Sequence, residues 1–176
     1  SAMKKILFFI VFALIVSFPS ISQSKEEGTD RAAIKQFFKD RDTNTVSPKS
    51  KYINAVKAVL KQYNSALEKL DISGTENLFT YDSEIYESGT SEGTYTHYMQ
   101  EHLRPELKGF KSLKFNDYKV DVTIVGNYAF ATETYNYVKV ATKDNTEVKQ
   151  KGVTTSVLKK VKGEWKIMNY HNSSTE

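Results

Sequence analysis

The chain has 176 residues, with 25 basic and 21 acidic side chains, a formal net charge of +4 and no cysteine. A chain of this length fits one folded domain. The lack of cysteine excludes disulfides and lipidation of an N-terminal cysteine. Basic and acidic residues are interleaved along the chain, which argues against the concentrated basic stripe that nucleic-acid binding needs.

Residues 1–22 have the pattern of a secretory signal preceded by Ser1-Ala2, which we interpret as the remnant of a removed tag. A short basic start is followed by the apolar run Ile6 to Phe18, which is too short to span a bilayer comfortably, and then by small residues ending at Ser22. Cleavage there would remove two lysines, leaving 25 − 2 = 23 basic against 21 acidic side chains, a net charge of +2. The pattern predicts an exported, periplasmic or secreted, soluble protein without a stable membrane anchor.

Residues 23–49 are interpreted as a polar lead-in that contains one short amphipathic segment, Arg31 to Lys39. Phe37 and Phe38 lie on its apolar side. Two roles remain open for this segment: a loose connection, or a clasp that packs on the domain or on a partner subunit.

The folded domain is predicted over residues 50–174. Ser47 at a cap position and Pro48 at the first helical position give a strong start signal for a helix. Apolar residues then recur at steps of three and four, which predicts about six helical turns with one buried stripe: Ile53, Val56, Val59, Leu60, Tyr63, Leu67 and Leu70.

Two shorter helices are predicted next. Ser73 to Glu76 has the capping-box pattern and is expected to open a short helix, followed by a short strand over 82–87 and a loop over 89–93. Thr94 is expected to cap a third helix that Gly109 ends, with a kink or an early end around Glu101 to Arg104 because of Pro105. Its predicted inner face is Tyr95, Tyr98, Met99, His102 and Leu103.

From residue 111 onward the chain alternates apolar and polar residues in long strands joined by short turns, which predicts an antiparallel meander. The phase of the alternation changes near Asn116-Asp117, so a β-bulge that bends the sheet is expected there. Helices followed by such strands predict an α+β fold, with a cone-shaped, curved antiparallel sheet wrapped around about three N-terminal helices.

The order of five sequence elements resembles the nuclear transport factor 2-like superfamily and, within it, bacterial SnoaL-like, polyketide-cyclase-type domains. These elements are the long first helix, the loop around residues 87–94, the segment 102–107, the strand start 128–132 and the ending Gly163-Glu164-Trp165-Lys166-Ile167. The resemblance implies a conical α+β barrel, a pocket between the helices and the concave side of the sheet, and a homodimer formed through the sheet face.

Strict alternation in the last strand places Trp165, Ile167 and His171 on one face, unless the end of the strand bulges. With His102 on the inner face of the third helix, two imidazoles would then project into one pocket from facing walls. In a middle strand, Glu133, Tyr135 and Tyr137 share one face, and the sequence alone does not say whether that face is concave. The predicted ligand-binding residues are Tyr95, Tyr98, His102, Glu133, Tyr135, Trp165 and His171.

Three functions remain open at this point. The preferred hypothesis is binding of a small apolar or amphipathic molecule in an enclosed, largely apolar pocket, with no cofactor and no assured catalysis. The second is an isomerase or dehydratase of the ketosteroid isomerase or scytalone dehydratase type that uses a pocket histidine as general base, with His102, His171 and Glu133 as candidate catalytic residues. The third is a dimeric interaction module with a filled interior. No metal site is predicted, because no local spacing of ligands supports one.

Overall fold

The computed structural model describes residues 48–175. The predicted signal, the lead-in up to Ser47 and the amphipathic segment lie outside these residues. The described chain begins with the long helix α1, Pro48–Glu68, whose buried residues are Val56, Leu60, Tyr63 and Leu67. These residues belong to the predicted stripe, spaced so that they fall on one side of a helix with 3.6 residues per turn.

A 3₁₀ turn, Thr75–Leu78, connects α1 to the sheet. The predicted capping box is wrong, because Gly74 occupies the cap position in a left-handed conformation and no side chain caps the turn. The Thr75 hydroxyl is instead buried, donating to the Ile72 carbonyl at 2.6 Å and lying 2.7 Å from the Tyr95 hydroxyl.

Strand β1, Phe79–Glu87, forms a hairpin with the short strand β2, Thr90–Gly93. The sequence predicted a loop where β2 stands. A short strand rich in polar residues and glycine shows no apolar alternation, so its own sequence does not predict that β2 pairs with β1.

The next helix has three parts: α2, Tyr95–Tyr98, a π-helical turn, Met99–Leu103, and α3, Arg104–Lys108. Thr94 caps it as predicted, its hydroxyl oxygen accepting from the His97 backbone N–H at 3.4 Å. Pro105 does not end the helix, because it lies in the first turn of α3, where a missing N–H is tolerated. Gly109 follows the last helical residue, in agreement with the prediction.

Four long strands complete the fold: β3, Phe110–Val125, β4, Tyr128–Ala141, β5, Glu147–Val161, and β6, Glu164–Thr175. Each pairs antiparallel with the next, and the sheet order is β2-β1-β6-β5-β4-β3. The predicted α+β class and the meander are confirmed. The sheet is nevertheless mixed, since β1 pairs with β6 in parallel. The hairpin rule relates only strands adjacent in sequence, and these two strands are far apart in the chain.

The strand register shifts at several points in the described part of the sheet, and two of these β-bulges bear on the site. The predicted one lies in β3, where the register with β4 shifts between Asn116 and Lys119 and Asp117 adopts a φ of 52°. The second lies in β6, where Ile167 pairs with Leu158 but Asn169 pairs with Val157, so that Met168 is the extra residue. Beyond Met168, each residue of β6 therefore lies on the face opposite to the one that strict alternation predicts.

The inner face of the curved, unclosed sheet packs on α1 and changes character along the strands. At one end it presents small and aliphatic residues with at most 3 % exposure, Ala129, Ala131, Leu158 and Ile167. At the other end the same faces of β4 and β5 carry Tyr135, Tyr137 and Gln150. The first end is a filled core, and the second leaves a cavity.

Candidate functional site

A cavity of about 370 Å³ lies between the inner face of the sheet and the helices. Its walls combine aromatic rings, four leucines and polar side chains; the aromatic residues are Tyr63, Tyr98, Phe110, Phe115, Tyr135, Tyr137 and Tyr170. Ser88, Glu106, Ser173 and Ser174 also line it and are exposed. The cavity therefore opens to solvent at that end, whereas the sequence predicted an enclosed pocket.

Glu87, at the end of β1, is one of two carboxyl groups that line the cavity. The Tyr98 hydroxyl donates to Glu87 Oε2 at 3.1 Å. Burial, reinforced by the charge of Glu87, raises the pKa of Tyr98 far above the ordinary range for tyrosine. The phenol therefore stays protonated, and Glu87 keeps a neutral donor.

Glu106, in α3, is the second carboxyl group and lies at the open end with 45 % of its side chain exposed. Lys139 of β4 approaches it, with 3.8 Å between Nζ and Oε1. Partial burial and the nearby charge of Glu87 raise the pKa of Glu106, and Lys139 opposes that rise. A carboxyl group with a raised pKa at a cavity mouth is suited to proton transfer or to recognition of a cation.

Lys139 also contacts the aromatic wall. Its ammonium lies 5.2 Å from the ring centre of Phe110 and 5.7 Å from that of Tyr137, within the range of cation–π interactions. Only 25 % of the side chain is exposed. The chain thus places one of its own ammonium groups between these rings and Glu106.

Tyr135 forms the wall on β4, and its ring meets that of Phe115 edge-on at 4.9 Å. The ring lies over Gly152 on β5, where an added Cβ would come within 2.2 Å of it. Glycine is therefore required at position 152 for Tyr135 to take this place. The Tyr135 hydroxyl is 2.8 Å from the Thr154 hydroxyl, and burial raises the pKa of Tyr135 to about 12.

Glu133 is only 2 % exposed and lies on β4, on the same face as Tyr135 and two residues away from it. Its Oε1 accepts from the Tyr118 hydroxyl at 2.6 Å and from the Asn64 side-chain amide at 2.9 Å. Burial raises the pKa of Glu133 even though both hydrogen bonds act to lower it. The residue links α1 to the sheet behind the cavity and does not line the cavity.

The structure brings two of the predicted ligand-binding residues, Tyr98 and Tyr135, to the cavity wall. Tyr95 is buried in the core, with its ring stacked on Phe79 at 3.6 Å. Trp165 is also buried and meets Tyr52 edge-on at 6.2 Å. Both therefore pack away from the cavity.

The prediction that two imidazoles face each other in the pocket is wrong. Because of the bulge at Met168, Tyr170 takes the inner face of β6, and His171 lies exposed on the outer face, 6.4 Å from the ring of Tyr86. The π-helical turn adds a residue within one helical turn and so rotates His102 away from the buried stripe. Its side chain is 52 % exposed and contacts Glu92 at 3.1 Å.

The sequence reading missed Glu87, Glu106 and Lys139. A signal existed for Lys139, because odd-numbered residues of β4 share one face with Tyr135 and Tyr137. None existed for the two glutamates, which come from β1 and α3 and meet only in the folded chain.

Within the described residues, no group of three or more His, Cys, Asp or Glu side chains could hold a metal ion. Over the same part of the chain, none of the helices has the length and apolar character needed to cross a membrane.

Comparisons with known proteins agree with this fold. The family model described as SnoaL-like domain matches residues 56–175. A candidate dehydratase of the NTF2-like family from Streptomyces avermitilis is 17% identical, with 73% of this chain and 99% of that chain covered and a TM-score of 0.64. A candidate ketosteroid isomerase from Shewanella frigidimarina is 26% identical, with 68% and 94% covered and a TM-score of 0.59.

A candidate scytalone dehydratase from Novosphingobium aromaticivorans is 17% identical, with 71% of this chain and 85% of that chain covered and a TM-score of 0.58. No curated protein matches the chain significantly.

Glu133→Gln tests the buried carboxyl group. Because the folded-state pKa of Glu133 is raised, the folded protein binds the proton more tightly than the unfolded chain does, and the stability from this group is fully present below the unfolded pKa of about 4.3. It is lost as pH rises through the raised pKa. Gln keeps an acceptor for Tyr118 and Asn64 but has no such pH dependence. We expect the melting temperature of the variant to rise relative to the wild type as pH increases from 4 to 8.

Glu101→Gln, at an exposed helix position, is the matched control and should not follow this trend. A difference between wild type and Glu133→Gln that stays constant over the same pH range would contradict the burial argument.

Proposed function

Since the chain belongs to the family of SnoaL-like domains, as its sequence resemblance indicated, we propose that it binds a small molecule in the cavity between helix and sheet. The observation that carries the proposal is a hollow of about 370 Å³ whose walls combine seven aromatic rings with polar groups. Small-molecule sites are cavities of about 300–1,000 Å³ with hydrophobic and aromatic walls and polar groups that orient the ligand. This cavity has the volume and the rings, with a larger share of polar groups.

The energetics favour a ligand with a substantial apolar body. Burying apolar surface contributes roughly 25 cal/mol per Å². The ring of Tyr135 already packs edge-on against Phe115 and lies 6.1 Å from that of Tyr137 in a tilted arrangement. The Tyr137 hydroxyl donates to Gln150 at 2.6 Å, which further limits its movement. A preformed wall lowers the entropic cost of binding.

Ser174→Trp tests this function by placing a large ring at the cavity opening. Ser174 lines the cavity and is exposed, so the change should leave folding intact. We expect the affinity for a neutral probe, 2-(1-naphthyl)ethanol, to fall at least about tenfold, the equivalent of 1.4 kcal/mol, as measured by isothermal titration calorimetry. Thr175→Trp is the matched control, because this exposed neighbour does not line the cavity. Equal affinities in the two variants would contradict binding in this cavity.

A second candidate function is proton transfer of the isomerase or dehydratase type, favoured by Glu106 and by the 26% identical candidate ketosteroid isomerase. In its ionised form Glu106 would remove a proton next to a carbonyl group. Because burial raises its pKa to about 12, the Tyr135 hydroxyl stays protonated at neutral pH and would donate to the developing oxyanion. This candidate replaces the histidine base with a carboxylate, because His102 and His171 do not line the cavity.

Glu106→Gln tests this candidate. With a β,γ-unsaturated ketone as substrate, transfer of the double bond into conjugation is followed by absorbance. Turnover by the wild type should rise with pH through the raised pKa of Glu106, since only the ionised form accepts a proton. The variant should lose about 10²-fold or more, while Glu101→Gln keeps full activity. Absence of wild-type turnover, or equal turnover in Glu106→Gln, would rule the reaction out.

We also propose a homodimer formed through the outer face of the sheet. The support is a group of exposed apolar side chains on neighbouring strands: Val125 at 59 %, Phe130 at 50 %, Val153 at 44 % and Tyr128 at 40 %. Val125 of β3 pairs with Tyr128 of β4, and Phe130, two residues further along β4 on the same face, pairs with Val157 of β5. Apolar surface shared by adjacent strands is a frequent basis for subunit contacts.

Phe130→Glu tests the dimer by placing a charge at the centre of this surface. In sedimentation velocity at micromolar concentration, the wild type should sediment as a dimer and the variant as a monomer. Tyr81→Glu is the control, because Tyr81 is 91 % exposed on β1, outside the surface. A wild type that stays monomeric over the whole concentration range would refute the dimer.

Export remains a proposal supported by the basic, apolar and small-residue pattern of residues 1–22. N-terminal sequencing of the protein recovered from a periplasmic fraction tests it, with a start at Gln23 as the expected result.

A further inference from the structure

The charges around the cavity are unequal. Two carboxyl groups, Glu87 and Glu106, line it together with one ammonium group, that of Lys139, and its lining contains neither arginine nor histidine. Lys139 pairs with Glu106. Among residues 48–175 no cationic side chain lies within ion-pair distance of Glu87, whose side-chain donor is the neutral hydroxyl of Tyr98.

Glu87 is half-buried, and among the described residues the hydrogen bond to its side chain comes from the neutral Tyr98 hydroxyl, so no cation of the chain balances the charge of this carboxylate. Burial raises the pKa of Tyr63, Tyr98, Tyr135 and Tyr170, so these hydroxyls stay protonated and supply no charge. A ligand that brings a positive charge would satisfy Glu87. An anionic ligand would add a second negative charge beside it.

The aromatic walls are suited to the same charge. Ring faces attract cations, and the Lys139 ammonium already lies 5.2 Å from the centre of Phe110 and 5.7 Å from that of Tyr137. The cavity thus accommodates an ammonium group of the chain itself. Tyr98, which contacts Glu87, extends the aromatic surface to the carboxylate that lacks a cation.

We infer that the ligand of this cavity is a protonated amine joined to an apolar, ring-containing body, with the ammonium group placed at Glu87 and the body between Phe115, Tyr135 and Tyr137. This inference rests on the proposed binding function and names the class of ligand. Carboxylates and phosphate esters are the classes that the charges disfavour.

Three probes with one apolar body test the inference: 2-(1-naphthyl)ethylamine, 2-(1-naphthyl)ethanol and 1-naphthylacetate, titrated calorimetrically into the full chain at pH 7.5. The amine should bind at least about tenfold more tightly than the alcohol, the fold-change expected of a charge-assisted hydrogen bond. The carboxylate should bind most weakly. The advantage of the amine should shrink as salt is raised.

Charge-changing variants test whether these side chains determine the preference for the amine. Glu87→Gln keeps an acceptor for Tyr98 but removes the charge, and should lower the amine affinity about tenfold more than the alcohol affinity. Lys139→Met keeps an apolar chain of similar length but frees Glu106, and should raise the amine affinity. Glu164→Gln, an exposed glutamate outside the cavity, is the control and should change neither.

The outcomes separate the two proposals. If the alcohol or the carboxylate binds as tightly as the amine, or if Glu87→Gln weakens all three probes equally, the cationic ligand is refuted while the binding function stands. If no probe binds the wild type, both fail together.

Discussion

The structure depends on the packing of one helix stripe against a sheet that cannot stay flat. Leu60 and Tyr63 of α1 are almost fully buried against the inner face, and the bulges in β3 and β6 bend the strands around them. Where the strands present Ala129, Ala131 and similar residues, the interior is filled. Where they present tyrosines, the interior holds the cavity. The filled core and the cavity thus lie at opposite ends of the same inner face, where β4 and β5 carry side chains of different size and shape.

The same packing sets the chemistry of the cavity. Burial raises the pKa values of Tyr63, Tyr98 and Tyr170, so the aromatic walls stay neutral and act as donors and ring surfaces. Charge is left to Glu87, Glu106 and Lys139. Glu87 lies at the end of a strand, Glu106 in a helix and Lys139 in a middle strand. Only the curvature of the sheet brings them to one opening. Small-molecule binding, proton transfer by Glu106 and recognition of an ammonium group all draw on this one set of groups.

Two bulges and one helical turn show which features of the fold the sequence pattern predicts and which it does not. The bulge at Asn116-Asp117 was predictable because apolar residues change phase around it. The bulge at Met168 left a weaker mark, the three-residue step from Ile167 to Tyr170, and strict alternation therefore assigned His171 to the wrong face. The prediction that His102 faces the pocket was wrong for a similar reason. A π-helical turn displaces every later residue around the helix axis, and its local sequence does not distinguish it from an α-helix.

The sequence by itself determined the helix stripe of α1, the cap at Thr94, the long strands with their turns and the family to which the chain belongs. These depend on periodicity and on the conformational preferences of neighbouring residues, which are local properties. Tertiary structure alone decided which sheet face is concave, where the cavity opens, and that Glu87, Glu106 and Lys139 meet there. Alternation divides a strand into two faces but does not say which one the helix covers. Contacts between residues distant in sequence depend on how the whole sheet bends.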